Sequence, residues 1–563
     1  MLTHNRLVLL ISSCLICCCC TAPEPAVELP LFPAEKTAAD FPGLTYPAFE
    51  GELPSPASSN GPVWLIGIDG ADWDLMGPMM ERGELPNIAA LVEEGAHGPL
   101  ISEEPTISPA LWATIATGVP RFRHGVVNFM VKLPGSFATV QAGPPDRRSP
   151  AVWELVGAAG GRSAVISWFG SYPAEEIPGY YLSKGFDPEK LRPEQVHPDS
   201  LIDLIREQGQ VRLRRQDVEA IALSNFLRDT LLEDARSLAA FRAIVSQEQV
   251  DFAALYLSGT DVVQHVTWRH MDPSSQQFPQ DGEADPRFAG VIHAYYRFVD
   301  DALGEIRSMA PPGTTLIVVS DHGGGPLQPE EAYHLQLDVL LEQLGLMRKD
   351  RGELFAISEL YRHEKRIWLD LAPAGEVPGI AERLRKLTTD SGEPLFASVA
   401  DHTSDAGWQP DDHALTVRFS PDALVTGKFI DGGRELDFAP VRLRHTDVSG
   451  AHRLDGILIM HGPAVRPGPL KEPATIYNIA PTLLYLLGLP QDLRMLNGAP
   501  QDGGVLVQAI KPESVDSHPI LMIPKYPGTD RAHLLRNAED SPAAPDPAAD
   551  AAVEKLRSLG YIR

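Results

Sequence analysis

Five short apolar runs, each bounded by turn residues and separated by stretches of helical periodicity, constrain the fold of this chain more than any other feature. They are VWLIGID at 63–69, SAVISW at 163–168, VDFAALYL at 250–257, TTLIVVS at 314–320 and GILIMH at 456–461. A run that is apolar at nearly every position, not at alternate ones, is a strand covered on both faces. Helical patterns lie between these runs, at 86–95, 292–308 and 478–487. Buried strands alternating with amphipathic helices specify an α/β layered sandwich with a mostly parallel central sheet flanked by helices. Ligands then belong beyond the carboxyl ends of the strands.

The 563 residues divide unevenly around that body. All five cysteines (Cys14, Cys17, Cys18, Cys19 and Cys20) stand in the first twenty residues, after Arg6 and the apolar run LVLLISS. That run is shorter than the roughly 18 apolar residues of a membrane span and reads as an export signal over 1–20, with the cysteines resembling a bacterial lipoprotein signal. An ordinary cleaved signal is the alternative. The expected location is exported, periplasmic or cell-envelope, with lipid attachment somewhere between Cys14 and Cys20. Residues 21–60, rich in Pro, Ala, Glu and Ser, read as a tether. Catalytic α/β segments are expected at 61–325 and 446–535, an inserted cap subdomain at 326–445, and a linker with a C-terminal helix at 536–563. A formal charge of −27 excludes a general nucleic-acid-binding surface. Membrane contact is expected only through the N-terminal lipid.

Several residues with ligand or nucleophile chemistry fall next to the strands. Asp69 follows the first run, Asp261 and His265 follow the run ending at Leu257, Asp321 and His322 follow TTLIVVS, and His452 precedes GILIMH. Each alone is more often a cap or a core side chain. Together, three carboxylates and three imidazoles with no thiolate make an oxygen and nitrogen set suited to zinc or manganese. Asp261 and His265, four apart, share one face of a helical turn. Ser108, before Pro109 and a helical stretch ending at Thr117-Gly118, places a hydroxyl at a helix start, where an anion would be held. Its plain alternative is a helix cap.

These motifs resemble the alkaline phosphatase superfamily and, within it, the type I phosphodiesterase and nucleotide pyrophosphatase branch. The resemblance rests on Asp69-Gly70, GELPNIAALVEEGA, Ser108 nine residues before Thr117, His124-Gly125, Asp261 with His265, Asp321-His322-Gly323, His452 and the ending LRSLGYIR. It implies the alkaline phosphatase-like sandwich with an inserted cap. It also implies two divalent metal ions, zinc or else manganese, one held by Asp69, Asp321, His322 and the Ser108 oxygen, the other by Asp261, His265 and His452. Many relatives carry Thr where Ser108 stands, and their phosphate-contacting Asn aligns one residue away from Asn128. Thr106 is the reserve nucleophile.

The implied chemistry is hydrolysis of a phosphate ester through a phosphorylated Ser108. A metal lowers the pKa of bound water from about 15.7 to about 7, and a coordinated serine is activated in the same way. Two divalent ions balance three carboxylates and an ionised serine, which suits a monoanionic diester better than a dianionic monoester. A phosphomonoesterase or a phospho-alcohol transferase would use the same residues, and an inactive metal-binding surface lipoprotein is the non-enzymatic alternative. Ser108-Pro109-Ala110-Leu111-Trp112 lacks the Arg of the sulfatase signature.

Overall fold

The computed structural model describes residues 49, 51–56, 61–132, 139–272, 284–328, 333–346, 356–361, 364–368, 377–401, 414–420, 423, 426–444, 448–496 and 504–531. The expected signal with Cys14 to Cys20, most of the tether and the segment 536–563 lie outside the described residues. Among the described residues no helix is long and apolar enough to cross a membrane.

The elements that position the site run in this order. Strand β1 (Val63–Ile68) leads to helices α1 (Trp73–Glu81) and α2 (Pro86–Glu94), strand β2 (Ala96–Ile101) and helix α3 (Ser108–Thr117). Strands β3 (Ser163–Ile166), β4 (Gly179–Leu182) and β5 (Val196–His197) precede helix α4 (Asn225–Val245). Strand β6 (Phe252–Leu257) is followed by helices α5 (Gly259–Met271) and α6 (Val291–Met309), then by β7 (Thr315–Val319) and β8 (Gly323–Pro326). After an insertion come β9 (Gly450–Arg453), β10 (Asp455–His461), β11 (Gly468–Pro469), β12 (Ala474–Thr475) and helix α7 (Ile479–Leu486).

Ten strands form one sheet in the order β11-β2-β10-β7-β1-β6-β3-β4-β5, with β12 beside β2. The centre is parallel: β1 pairs in register with β6 and with β7, and β3 pairs with β6. Strand β10 runs antiparallel to both β7 and β2. Its residues were expected to form a strand, but an apolar run carries no direction, and the turn after β9 sets it. Strand β3 stops at Ile166, two residues short of the sequence expectation, because Ser167 takes a positive φ of 55°.

Both sheet faces are covered, as the uninterrupted apolar runs require. Val63 and Leu65 pack into a cluster with α3 and α7, whereas Trp64, Ile66 and Ile68 pack into the opposite one with α2, α4 and α6. Burying each such side chain is worth about 1.5–3 kcal/mol. The insertion has its own apolar cluster, including Leu340, Leu384, Val417 and Phe429. A four-stranded and a three-stranded antiparallel sheet lie within it. Its two ends are tied where Tyr333–Leu335 pairs with Arg442–Arg444. The run RIWLDL, expected to be strand-like, contributes to the strand Glu364–Trp368.

One contact fixes how closely α3 approaches the sheet. Gly67 of β1 lies under the Trp112 ring, and a Cβ there would stand 2.5 Å from it. Gly67→Ala is therefore expected to lower stability by about 1–3 kcal/mol through overpacking, read from the urea midpoint. Gly379→Ala, in open space on the helix Val377–Arg385, should instead add about 0.5–1 kcal/mol. Equal midpoints for Gly67→Ala and the unchanged protein would contradict this packing.

Candidate metal centre

Register brings the first two carboxylates together. Gly67 pairs with Val319 in the β1–β7 ladder, so Asp69 and Asp321, each two residues further on, leave adjacent strands at the same level. Ser320 ties the two turns, accepting from the Ala71 amide at 2.8 Å and donating to the His322 carbonyl at 2.6 Å. His322 Nε2 stands 3.3 Å from Asp69 Oδ1 and 3.6 Å from Asp321 Oδ2. Ser108, the first residue of α3, lies on the same group with Oγ 3.5 Å from His322 Nε2.

The second set comes from α5 and the β8–β9 pair. Asp261 Oδ1 is 3.2 Å from His265 Nε2 and 3.5 Å from His452 Nε2. The pairing of Gly324 with His452 brings the latter over His322, with the rings stacked at 3.7 Å. His265 and His452 approach Nε2 to Nε2 at 2.9 Å. Two groups of ligand atoms thus lie within 4.8 Å of one another: Asp69, Asp321 and His322, and Asp261, His322 and His452. The structure brings together all seven residues proposed as ligands, with His322 between the two groups and His265 joining through Asp261 and His452.

Buried polar groups need partners, and three carboxylate oxygens here have no hydrogen bond. Asp321 is fully buried with neither carboxylate oxygen hydrogen-bonded, and Asp69 Oδ1 is buried in the same state. The imidazoles face the same centre. Nδ1–H of His452 donates to the Thr106 carbonyl at 2.8 Å, and Nδ1–H of His322 donates to the Gly323 carbonyl at 3.0 Å. Each Nε2 is thereby turned inward. Unpaired carboxylate oxygens and inward nitrogens fit a divalent cation.

The electrostatics carry the same message. Burial and the neighbouring Asp69 charge raise the Asp321 pKa well above the usual carboxylate range. Burial acts to lower His322, but Asp321 and Asp69 outweigh it and push it up to about 10. A proton on His322 stands in for a cation. Burial and the charge on His322 depress His452 to about 3. Burial works against ionisation of Asp261, yet His265 and His452 hold it well below its ordinary value.

Further residues hold this framework. Asp234 of α4 accepts from the amides of Ser258 and Gly259 at 3.0 and 2.9 Å, and so caps the helix that carries Asp261 and His265. Gln264 Nε2–H donates to the Gly70 carbonyl at 2.7 Å, joining α5 to the turn after Asp69. Gly70 takes a φ of +66°, and a Cβ there would meet Asp261 at 2.9 Å. Asp69 Oδ2 accepts from Trp112 Nε1–H at 3.1 Å and from the Tyr256 hydroxyl at 2.5 Å. Sequence reasoning missed the roles of Asp234, Gln264, Tyr256 and Trp112. A Tyr inside an apolar run and a Trp four residues after Ser108 were the available signals.

The remaining expected residues take other places. Thr106 Oγ1 lies 3.2 Å from Nδ1 of His452, on the side of that ring away from the ligand nitrogen. Asn128 is buried, and its Oδ1 accepts from the Phe129 amide at 2.7 Å. His124 is buried against Thr114 Oγ1 at 3.0 Å and supports its turn. Two basic residues that follow α3, outside the expected set, are engaged elsewhere: Arg121 pairs with Glu103 at 3.1 Å, and Arg123 donates to the Arg494 carbonyl at 3.3 Å.

The profile of the type I phosphodiesterase / nucleotide pyrophosphatase family matches residues 63–428, well over half of the chain. The chain belongs to the type I phosphodiesterase / nucleotide pyrophosphatase family. This family member is a phosphoric ester hydrolase. His452 lies beyond the matched segment, and the β8–β9 pairing together with its bond to the Thr106 carbonyl brings it to the centre. Among solved structures, human ectonucleotide pyrophosphatase / phosphodiesterase 5 is 17% identical, with 76% of this chain and 95% of that chain covered and a TM-score of 0.46. Phosphonoacetate hydrolase from Sinorhizobium meliloti, in complex with phosphonoacetate, is 15% identical, with 78% and 97% covered and a TM-score of 0.49. No curated protein sequence matches significantly.

The raised pKa values predict how the metal-free enzyme responds to pH. A folded-state pKa above the unfolded value means that the native state binds more protons, so stability falls as pH rises through that window. For His322 the window runs from its ordinary 6.5 to about 10, and Asp321 contributes with the same sign from the ordinary carboxylate range upward. In chelator, the urea midpoint should fall between about pH 7 and pH 9. Asp321→Asn should flatten that slope, since it removes one buried charge and lets His322 titrate lower. An unchanged slope in the variant would contradict the charge assignment.

Proposed function

We propose that this hydrolase is a phosphodiesterase that works through a phosphorylated Ser108 at a centre holding two divalent ions. The observation that carries the reading is the placement of the Ser108 hydroxyl at the start of α3, 3.5 Å from His322 Nε2 and beside the unpaired oxygens of Asp69 and Asp321. Asp69, Asp321, His322 and Ser108 would hold one ion, and Asp261, His265 and His452 the other, with zinc best suited to the donor set. Ions bound there would supply Lewis-acid chemistry, drawing charge from the serine, phosphoryl and leaving oxygens.

The residues of the chain account for the rest. Ser108 Oγ loses its proton and attacks phosphorus. The Oγ–P bond forms as the bond to the leaving alcohol breaks, and that oxygen takes up a proton. Water then attacks the phosphoserine, the P–Oγ bond breaks, and Ser108 regains a proton. The N-terminus of α3 faces the developing negative charge with the positive end of its dipole. Ser108, only 3% exposed, is kept from bulk water.

Preference for a diester rests on charge. Three carboxylates and an ionised serine already balance two divalent ions, and a second phosphoryl charge would need a further cation. Arg121 and Arg123, the cations nearest in sequence, are engaged with Glu103 and with the Arg494 carbonyl. Export and lipid attachment between Cys14 and Cys20 belong to the same proposal and rest on the N-terminal sequence.

The test is hydrolysis of a chromogenic phosphodiester and its monoester by the metal-replete protein. Ser108→Ala should lose at least about a thousandfold in turnover, and Thr106→Ala should keep most of it. The diester should have the higher kcat/KM. Full turnover in Ser108→Ala would remove the covalent step, and a faster monoester would remove the charge argument.

A further inference from the structure

The geometry points to Trp112 and Tyr256 as positioning residues that turn the Asp69 carboxylate toward the centre and lock the nucleophile helix to it. The inference rests on the two-ion reading above. Both donors converge on one oxygen: Trp112 Nε1–H at 3.1 Å and the Tyr256 hydroxyl at 2.5 Å reach Asp69 Oδ2. The other oxygen, Oδ1, has no hydrogen-bond donor and lies 3.3 Å from His322 Nε2. An oxygen already saturated by two donors makes a poor second ligand. Asp69 therefore offers a single oxygen, in a fixed direction.

The donors are themselves fixed by the fold. Gly67 pairs directly with Tyr256 across the β1–β6 ladder, and the absence of a side chain at Gly67 is what admits the Trp112 ring. Trp112 stands edge-on to Tyr256 at 4.9 Å and to Trp168 at 5.1 Å. Both donor rings are almost fully buried, Trp112 at 0% and Tyr256 at 2% exposure. Trp112 is also one helical turn beyond Ser108 on α3, so a sliding movement of that helix would break its bond to Asp69. Nucleophile and ligand are thereby held at one spacing through a single indole. Removing either N–H or O–H would leave Oδ2 short of a donor in a buried site and free the carboxylate to turn.

Trp112→Phe and Tyr256→Phe remove the donors and keep aromatic rings in place. Trp168→Phe removes a neighbouring indole whose Nε1–H donates to the Trp112 carbonyl at 3.4 Å and not to Asp69, and serves as the control for packing and for the hold on α3. Zinc affinity would be measured by competition with a chromophoric chelator on chelator-stripped full-length protein, with near-UV circular dichroism to establish the fold. Trp112→Phe and Tyr256→Phe should each weaken one of the two zinc-binding steps by about 10- to 100-fold and leave the other unchanged. Trp168→Phe should leave both unchanged. Asp69→Asn is the reference, abolishing the same step. If the unchanged protein binds fewer than two zinc ions, the two-ion reading fails; if Asp69→Asn binds two as tightly as the unchanged protein, Asp69 is no ligand and the positioning role is overturned. If Asp69→Asn loses one step while the donor variants match Trp168→Phe, the positioning role alone is overturned. Should Trp112→Phe fail to fold, Tyr256→Phe carries the decision.

Discussion

Two carboxylates that leave adjacent parallel strands at the same level, inside the protein and with three of their four oxygens lacking a hydrogen bond, are the constraint on which the rest of this structure depends. Asp69 and Asp321 owe their closeness to the in-register pairing of β1 with β7. Their burial makes the arrangement costly unless positive charge arrives. The raised Asp321 and His322 pKa values express that cost as a tendency to hold protons. A folded chain keeps such an arrangement when something bound repays it, and the surrounding nitrogens and oxygens all point at the same place.

Each neighbouring element can be understood by what it does for that pair. Helix α5 is capped by Asp234 and tied to Gly70 by Gln264, which sets Asp261 and His265 against the first turn. Strands β8 and β9 form a short ladder that carries His452 across the insertion and stacks it on His322. Helix α3 supplies Ser108 from one end and, one turn later, the indole that grips Asp69. Sheet, helices and the β8–β9 ladder thus meet at the carboxyl ends of the central strands, where α/β folds place their ligands.

The sheet centre and the acidic and imidazole residues that cluster at its strand ends were legible in the sequence because burial and chemistry leave separate marks there. VWLIGID and TTLIVVSDH show apolar runs that stop at acidic residues, and β1 and β7 end where those runs end. Direction was not legible: GILIMH has the composition of its parallel neighbours but runs against them. The short strands β4 and β5, the last two of the sheet on that side, carry too few residues for a period to show. The supporting residues were hidden for another reason. Tyr256 and Trp112 read as core letters and are core residues, and only coordinates reveal that their single polar atoms share one carboxylate oxygen. The insertion showed one strand-like run, whereas its two small sheets and separate core needed the structure.

The claim that binds these observations is that the centre holds two divalent ions, and counting them tests it most directly. Protein purified without chelator and crystallised would be examined by elemental analysis and by anomalous diffraction at the zinc edge. The account predicts two ions per chain, one touching Asp69, Asp321, His322 and Ser108 and one touching Asp261, His265 and His452. No ion under replete conditions, or a single ion shared by both groups, would contradict it.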